Sequence, residues 1–206
     1  MPIEMKERIV KGAEEFFLSY GVKIITMDEI ARNLGISKKT IYQYYKDKNE
    51  LVCEVMNNHL KEREQSYLQI ADLAADPIDE LIKLSEYIRD SFRNINSIIL
   101  FEVERYFPKA YKNWVDHKEK CLKGYIVDIL NKGKIQGLFR QDINVEMIAR
   151  LRIEEIQLGF NIAVFPPLQF PIQELQMQFI DYFLHGICTL KGHKLINQYK
   201  KIQEED

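Results

Sequence analysis

The stretch that decides the fold is TMDEIARNLGISKKTIYQYYKDKNEL, residues 26–51. Thr26 and Glu29 have the spacing of a capping box, which predicts a helix that begins directly after the threonine. Gly35 is suited to end that helix, and Ser37 can cap a new one that starts at the next residue. Two short helices separated by only three residues are typical of a helix-turn-helix.

Helical periodicity continues on both sides of this stretch. Ahead of it, apolar residues recur every three or four positions as far as Gly21. After it, Asp47 is a suitable cap for a long fourth helix. Further helices are expected from Pro77 through Ile88, over about 108–131, from Asn144 to about 164, and over about 172–190. In this prediction Gly133 and Gly137 lie in a loop and Gly192 ends the last helix, so the chain is all-α.

The third predicted helix concentrates positive charge. Residues 36–48 contain four lysines and one aspartate, although the whole chain has a formal net charge of −2. One face of the helix is apolar, with Ile41 and Tyr45, and the other is basic and polar, with Lys38, Lys39, Tyr42 and Gln43. A helix about 10 Å long fits the DNA major groove, which is about 12 Å wide. The pattern favours DNA binding over the alternative of a solvated lysine-rich helix on a small bundle.

These residues resemble the DNA-binding signature of TetR/AcrR-type transcriptional regulators. The resemblance is carried by the opening threonine and by the following residues: Ile30, Ala31, Leu34, Gly35, Ile36, Ser37, Thr40, Ile41, Tyr42, Tyr45, Lys48 and Leu51. Two positions depart from the pattern. Lys39 stands where many members carry glycine, and Tyr45 stands where phenylalanine is usual, so its hydroxyl needs a partner or solvent.

The resemblance implies a role for each matched residue. Three would hold phosphates, namely Thr26, Tyr42 and Lys48. Five would face the groove, namely Lys38, Lys39, Thr40, Gln43 and Tyr44. It also implies an all-α architecture in which an N-terminal three-helix helix-turn-helix head (residues 1–47) sits on a larger helical effector-binding and dimerisation domain (48–206). Such a protein is expected to bind double-stranded DNA at a palindromic operator as a homodimer, and to be a repressor released by an unknown small, mostly apolar effector.

Aromatic residues crowd the middle of the chain, and a single acid interrupts an apolar stripe. The aromatic residues proposed to bind the effector are Phe101, Tyr111, Trp114 and Tyr125, although at helical spacing each could equally be core. Glu155 lies in a stripe that is otherwise apolar. It is expected either to pair with Arg152 or a partner subunit, or to anchor an effector.

The last predicted helix is apolar on nearly all sides, which is typical of a helix buried on both faces. Together with the helix from Val145 it is the expected dimer surface, with Phe179, Phe183, Gly186 and Ile187 as the contact residues. The alternative is a central core helix of a monomer.

Other functional classes find little support in the sequence. There is no glycine-rich phosphate loop, no GxSxG and no paired-carboxylate motif, so neither an enzyme nor a cofactor is expected. His117 and Cys121 lie one turn apart, but no residue nearby in the sequence supplies the remaining ligands of a metal site, and His59, His185 and His193 are isolated in the sequence. Three scattered cysteines, no signal peptide and no membrane-spanning segment indicate a cytoplasmic protein. The main alternative is a DNA-binding structural or cell-division protein controlled by a protein partner, and a helical enzyme ranks third.

Overall fold

The chain folds into helices joined by short connections. The computed structural model describes residues 2–91, 96 and 98–200. No strand occurs among the described residues, where the only β-type pairing is an isolated bridge between Phe139 and Cys188, and the all-α prediction is confirmed. The described residues form eleven α-helices and one π-helical stretch. They are α1 (Pro2–Tyr20), α2 (Met27–Asn33), α3 (Lys38–Tyr42), α4 (Lys48–Leu73), α5 (Pro77–Ser91), α6 (Ile99–Tyr106), α7 (Pro108–His117), the π-helical stretch Lys118–Leu122, α8 (Lys123–Ile135), α9 (Val145–Leu158), α10 (Ile172–Ile187) and α11 (Leu190–Lys200).

The chain divides into two compact units that do not follow sequence order. The first contains α1 to α3, α4 as far as Arg63, α6 and α7; the second contains the rest of α4, α5, the π-helical stretch and α8 to α11. Helix α4 begins at Lys48, where the sequence predicts the second domain to start. That boundary remains a prediction about the division of function.

The core of the first unit joins the helix-turn-helix to α6 and α7. Its buried side chains come from α1 to α4, from the segment between α1 and α2, and also from α6 and α7 through Val103, Phe107 and Ala110. The predicted three-helix head is therefore completed by two helices that are distant in the sequence. Burial of these apolar groups is the main force that holds the unit together.

Local capping sets the helix starts as predicted. The Thr26 hydroxyl accepts a hydrogen bond from the Glu29 N–H, and the Glu29 carboxylate accepts one from the Thr26 N–H. Ser37 caps α3, and Asn144 caps α9, each by accepting a backbone N–H. Asp47 accepts the N–H of Glu50 at the start of α4. Each of these caps typically stabilises a helix by about 1 kcal/mol.

In the second unit, α10 packs on α5, α8 packs on α5 and α9, and α11 packs on α5. The predicted helix over about 108–131 is present as three successive segments, α7, the π-helical stretch and α8. Lys118, in the π-helical stretch, is buried and donates hydrogen bonds to the side chains of Glu154 and Gln157 at 2.9 and 2.7 Å.

The prediction that Gly133 lies in a loop was wrong, because this glycine lies inside α8 and is buried. A Cβ at this position would stand 2.0 Å from the Cδ2 atom of the Phe139 ring. The helix ends only at Ile135, and the left-handed backbone of Gly137, with a φ of 68°, turns the chain back over it. The glycine serves close packing and not a turn.

Two helix ends also differ from the prediction. Helix α9 stops at Leu158 and does not reach 164. Gly192 does not end the last helix but lies inside a further one, α11, after α10 has ended at Ile187. A Cβ on Gly192 would stand 2.4 Å from the Leu138 carbonyl oxygen, so long-range packing accounts for this glycine as well.

We predict that Gly133→Ala lowers the free energy of unfolding by about 1–3 kcal/mol, because the added methyl group overlaps the Phe139 ring. Gly124→Ala is the matched control in the same helix, since its Cβ would meet nothing within 4 Å. The control should gain about 0.5–1 kcal/mol from helix propensity. Urea denaturation of both variants measures the difference, and equal effects would contradict the packing explanation.

Candidate nucleic-acid interface

Helix α3 has the two faces that the sequence predicts. Ile41 and Tyr45 are buried in the core of the first unit. The side chains on the other face are exposed, and they are Lys38, Lys39, Tyr42 and Gln43. Thr40 is half-buried, and its hydroxyl lies 2.8 Å from that of Ser37. Tyr44 is also half-buried and packs against the core.

Helix α3 has 5 residues, so at about 1.5 Å per residue it is shorter than the length of about 10 Å predicted from the sequence. It ends at Tyr42, and Gln43 forms its C-cap with a backbone that is still helical, at φ −72° and ψ −24°. Gln43 therefore projects from the last turn of α3. An exposed amide at this position can donate and accept hydrogen bonds at the same time, as the edge of an adenine requires.

One lysine of the basic face is already paired. The Lys38 ammonium lies 2.9 Å from a carboxylate oxygen of Asp28 in α2, and both side chains are about half exposed. The hydrogen bond to Asp28 raises the pKa of Lys38. Nothing in the sequence indicated this pair, which leaves Lys39 as the exposed lysine at the start of α3 that has no ion pair among the described residues.

Thr26 lies at the N-terminal end of α2, and its hydroxyl takes part in the capping box. The hydrogen bonds from Thr26 lower the pKa of the Glu29 carboxyl. The threonine is exposed, so its oxygen remains accessible while it caps the helix. A phosphate contact from this position remains a prediction.

Two charged side chains hold the segment between α1 and α2. Lys48 donates hydrogen bonds to the carbonyls of Val22 and Lys23 at 2.5 and 3.1 Å. Glu102, buried in α6, accepts the N–H of Lys23 at 2.9 Å. Gly21 makes room for this acid, because a Cβ there would lie 2.7 Å from a Glu102 oxygen. Burial lowers the pKa of Lys48, and the charge of Glu102 partly opposes that shift.

Tyr45 is a buried phenol. It is 2% exposed, and its hydroxyl has no hydrogen-bond partner among the described residues. Burial raises the pKa of Tyr45, and the carboxylates of Glu54 and Glu50 add to the effect. The Lys6 ammonium lies 5.8 Å from the ring centroid. The partner that the sequence analysis required for this hydroxyl is therefore not found in the described structure.

The predicted effector residues lie in different units. Phe101, Tyr111 and Trp114 belong to the first unit, and Tyr125 and Glu155 to the second. Phe101 is 40% exposed, and Tyr111 packs against the core of its unit. The indole nitrogen of Trp114 is buried and unpaired within the described residues.

Tyr125 belongs to an aromatic group in the second unit. Its ring stacks on that of Tyr67 at 5.6 Å, and Tyr67 also meets the edge of Tyr87 at 5.9 Å. The buried carboxylate of Glu80 lies beside the Tyr125 phenol, and burial and this carboxylate both raise the pKa of Tyr125. Glu80 has one distant ion pair, with Lys132 at 3.8 Å. A phenol and a carboxylate that are surrounded by aromatic rings can orient a bound ligand.

Glu155 pairs with Arg152 at 3.5 Å, one of the two arrangements expected from the sequence. Arg152 is 3% exposed, lies over the Phe183 ring at 5.7 Å, and has one terminal nitrogen without a partner in the described residues. Burial raises the pKa of Glu155 and lowers that of Arg152. Because the distance is long and the arginine is buried, this ion pair is weak evidence for a stabilising contribution to the fold.

An open groove of about 380 Å³ lies at the surface of the second unit. It is formed by the ends of α5 and α10, and its lining residues are Arg89, Asp90, Gln173, Glu174, Met177 and Gln178. The predicted effector residues do not line it.

The predicted dimer residues divide between the surface and the core. Phe183 and Ile187 are buried within the second unit, whereas Phe179 is half-buried and Gly186 is exposed. The Phe179 ring meets that of Phe165 at 5.6 Å. Further apolar side chains on α9 and α10 are exposed, and they are Met147, Leu151, Leu158 and Tyr182.

The histidines that look isolated in the sequence have partners in the fold. His59 lies 2.6 Å from a carboxylate oxygen of Glu14. His185 and His193 face each other with their Nδ1 atoms 3.1 Å apart. The two residues are eight positions apart across the junction of α10 and α11, and neither a single helix nor a single strand would bring them into contact.

The fold and the exposed face of α3 define a class, that of helical DNA-binding regulators with a helix-turn-helix head. Residues 9–55 match the model of the bacterial regulatory proteins of the tetR family. The HTH-type transcriptional repressor KstR2 of Mycolicibacterium smegmatis is 28% identical over 199 residues, which cover 94% of this chain and 95% of the relative.

Solved structures agree on the fold. A TetR-family transcriptional regulator from Agrobacterium tumefaciens superposes with a TM-score of 0.76 at 15% identity, covering 92% of this chain and 100% of that one. The ketosteroid transcriptional regulator KstR2 of Mycobacterium tuberculosis superposes with a TM-score of 0.60 at 21% identity, covering 90% and 95%. Together these similarities support a transcriptional regulator of the TetR type, with the family's DNA-binding domain at residues 9–55. TetR-family regulators are DNA-binding transcription factors and not enzymes. Within the described residues, no helix is both long and apolar enough to cross a membrane.

We predict that Tyr45→Phe raises the free energy of unfolding by about 1 kcal/mol, since it removes a buried hydroxyl without a partner. The contact with Lys6 is kept, because phenylalanine retains the ring. Tyr42→Phe, at an exposed position, should leave stability unchanged. Urea denaturation measures both, and a clear loss of stability in Tyr45→Phe would mean that the hydroxyl is hydrogen-bonded.

Proposed function

We propose that the chain is a homodimeric transcriptional repressor that binds a palindromic DNA operator and is released by a small, mostly apolar effector. The observation that carries the proposal is the exposed face of α3, which is basic and polar while its opposite face is fixed in the core. The repressor role is supported by the relative KstR2, which is a transcriptional repressor. We also expect a cytoplasmic location, because the operator lies there.

In this proposal α3 enters the major groove with Lys39 near the phosphates and Gln43 at a base edge. Lys38, Thr40 and Tyr44 complete the groove-facing set, and Thr26 and Tyr42 contact phosphates on either side. Lys48 is half-buried, and its ammonium group uses two of its three N–H donors in hydrogen bonds to backbone carbonyls. One N–H donor remains for a phosphate. Substituting Lys48 would disturb the segment that it holds, so it is a poor probe of DNA contact alone.

Gln43→Ala should weaken binding to the operator by about 1–3 kcal/mol and binding to random DNA hardly at all, since it removes a base contact. Gln69→Ala removes an exposed glutamine on α4 and serves as the control, with no effect on either DNA. Fluorescence anisotropy with both DNAs measures the four affinities. Equal losses on operator and random DNA would contradict base reading by Gln43.

Lys39→Ala separates charge from base reading in the same assay. It should weaken binding to both DNAs and reduce the slope of log affinity against log salt by about one.

The dimer proposal rests on the exposed apolar surface of α9 and α10. Leu151 is 52% exposed and Tyr182 is 78% exposed. A Cβ built on Gly186, one turn after Tyr182 in α10, would meet no atom within 4 Å. An open glycine of this kind lets another helix approach closely. Phe183 and Ile187 would support the surface from beneath, while Phe179 and Gly186 would make contact. A two-fold axis through this surface would present two heads to an inverted repeat.

Leu151→Glu and Tyr182→Glu should each convert the dimer to monomers without loss of helical content, since both side chains are exposed within their unit and a charge there opposes association. Phe183→Glu should instead lower the free energy of unfolding by several kcal/mol, because it buries a charge inside the unit. Leu73→Glu, at a position 76% exposed on α4, is the control. Sedimentation velocity and circular dichroism measure both outcomes, and unchanged dimers in both exposed variants would exclude this surface.

The effector proposal rests on buried polar groups among aromatic rings in the second unit. The Tyr125 phenol and the Glu80 carboxylate lie in an apolar environment with the rings of Tyr67 and Tyr87. Exclusion of water from such an environment strengthens hydrogen bonds to a ligand. Glu155, Phe101, Tyr111 and Trp114 remain proposed contacts. A mostly apolar effector is in keeping with KstR2, whose structure is that of a ketosteroid regulator. Release requires only that the effector bind the DNA-free arrangement more tightly, by about 1–3 kcal/mol in typical cases.

A further inference from the structure

The junction between α10 and α11 brings two histidines together. His185 lies in the last turn of α10 and His193 in the first turns of α11. Their Nδ1 atoms are 3.1 Å apart, and their rings stack at a centroid distance of 5.1 Å. The His185 side chain is 41% exposed, so this pair is open to solvent and to small ions.

The junction is rigidly built. The Thr189 hydroxyl donates to the carbonyls of Gly137 and Leu138 at 2.9 and 3.1 Å. The Thr189 carbonyl in turn accepts the N–H of His193 at 2.9 Å. Gly192 packs directly on the Leu138 carbonyl. The two imidazoles are therefore held in place by the fold and need no ligand to assemble them.

A carboxylate lies near the first imidazole. Asp181, one turn before His185, places an oxygen 3.7 Å from the His185 Nε2. Lys200 also contacts Asp181 and so fixes it. A proton on Nε2 directed at this acid leaves the lone pair of His185 Nδ1 free to bind a cation. Histidines that bind a metal through one ring nitrogen commonly direct the N–H of the other ring nitrogen at a carboxylate.

We propose that His185 and His193 bind a divalent transition metal ion of the zinc class through their Nδ1 atoms, with Asp181 as the positioning residue. Two nitrogens bound to tetrahedral zinc at about 2.0–2.1 Å lie roughly 3.3–3.4 Å apart, close to the observed separation. Imidazole ligands favour zinc, copper and nickel over magnesium and calcium. Water fills the remaining positions, so the ion is exchangeable. The proposal does not depend on DNA binding or on the effector.

Isothermal titration of the full chain with zinc chloride tests the site. The wild-type chain should bind one zinc ion more than His185→Gln and one more than His193→Gln. Asp181→Asn should keep the stoichiometry with an affinity about 10–100-fold weaker, as expected for a residue that acts through a ligand. The readout is the number of ions lost relative to wild type, so zinc bound elsewhere does not obscure it.

His59→Gln is the matched control, because this histidine is bound to Glu14 in the first unit. It should titrate like the wild type. Thermal unfolding gives a second measurement: zinc should raise the midpoint of the wild type and of His59→Gln by more than it raises that of His193→Gln. Circular dichroism of the metal-free variants checks that each is folded. Identical zinc titrations for the wild type and His193→Gln would overturn the proposal, as would the absence of zinc binding to the wild type.

Discussion

The geometry of the head depends on how one buried acid and one half-buried base hold the segment between α1 and α2. Glu102 from α6 accepts the Lys23 N–H, and Lys48 from α4 donates to the carbonyls of Val22 and Lys23. This segment leads directly into Thr26, the cap of α2. Because an unpaired buried charge costs several kcal/mol, α4 and α6 cannot move away from the segment without a large penalty. The position of the helix-turn-helix is thus set by helices outside it.

This arrangement has a consequence for regulation. Glu102 contacts the segment from a helix that adds Val103 to the same core, so a shift of α6 must either carry the helix-turn-helix with it or break the hydrogen bond. In the proposed regulation, a head that is tied in this way can respond to a change in α6 without any contact between the effector and DNA. Such a response is energetically modest, since allosteric couplings are commonly about 1–3 kcal/mol.

Features encoded over a few residues could be predicted from the sequence. The caps at Thr26, Ser37, Asp47 and Asn144 are each made by a side chain and a backbone group within three residues, and all four are present. The opposed faces of α3 were likewise predictable, because burial follows helical spacing. The basic and polar residues assigned to DNA are exposed or half-buried, as the interface requires, while their individual contacts with DNA remain predictions.

Features that depend on contacts between distant residues could not be predicted. Gly192 was predicted to end a helix, but it makes room for the Leu138 carbonyl, which lies far away in the sequence. Gly133 makes room for the Phe139 ring, which lies beyond the end of its own helix, so helical spacing gives no signal for the contact. Glu102 is separated by 79 positions from the N–H that it accepts. The pair of His185 and His193 follows from the turn between two helices, one of which the sequence did not predict.

The central claim is that two heads of this slightly acidic protein read an inverted repeat through the exposed face of α3. Selection of fragments from random DNA by the purified chain, followed by sequencing, tests it most directly. If the claim is correct, the enriched fragments share two inverted half-sites whose centres lie about 34–36 Å apart, or one helical turn, on straight DNA. Enrichment of a single site without an inverted copy would contradict dimeric reading, and no enrichment above random DNA would contradict sequence-specific binding by this head.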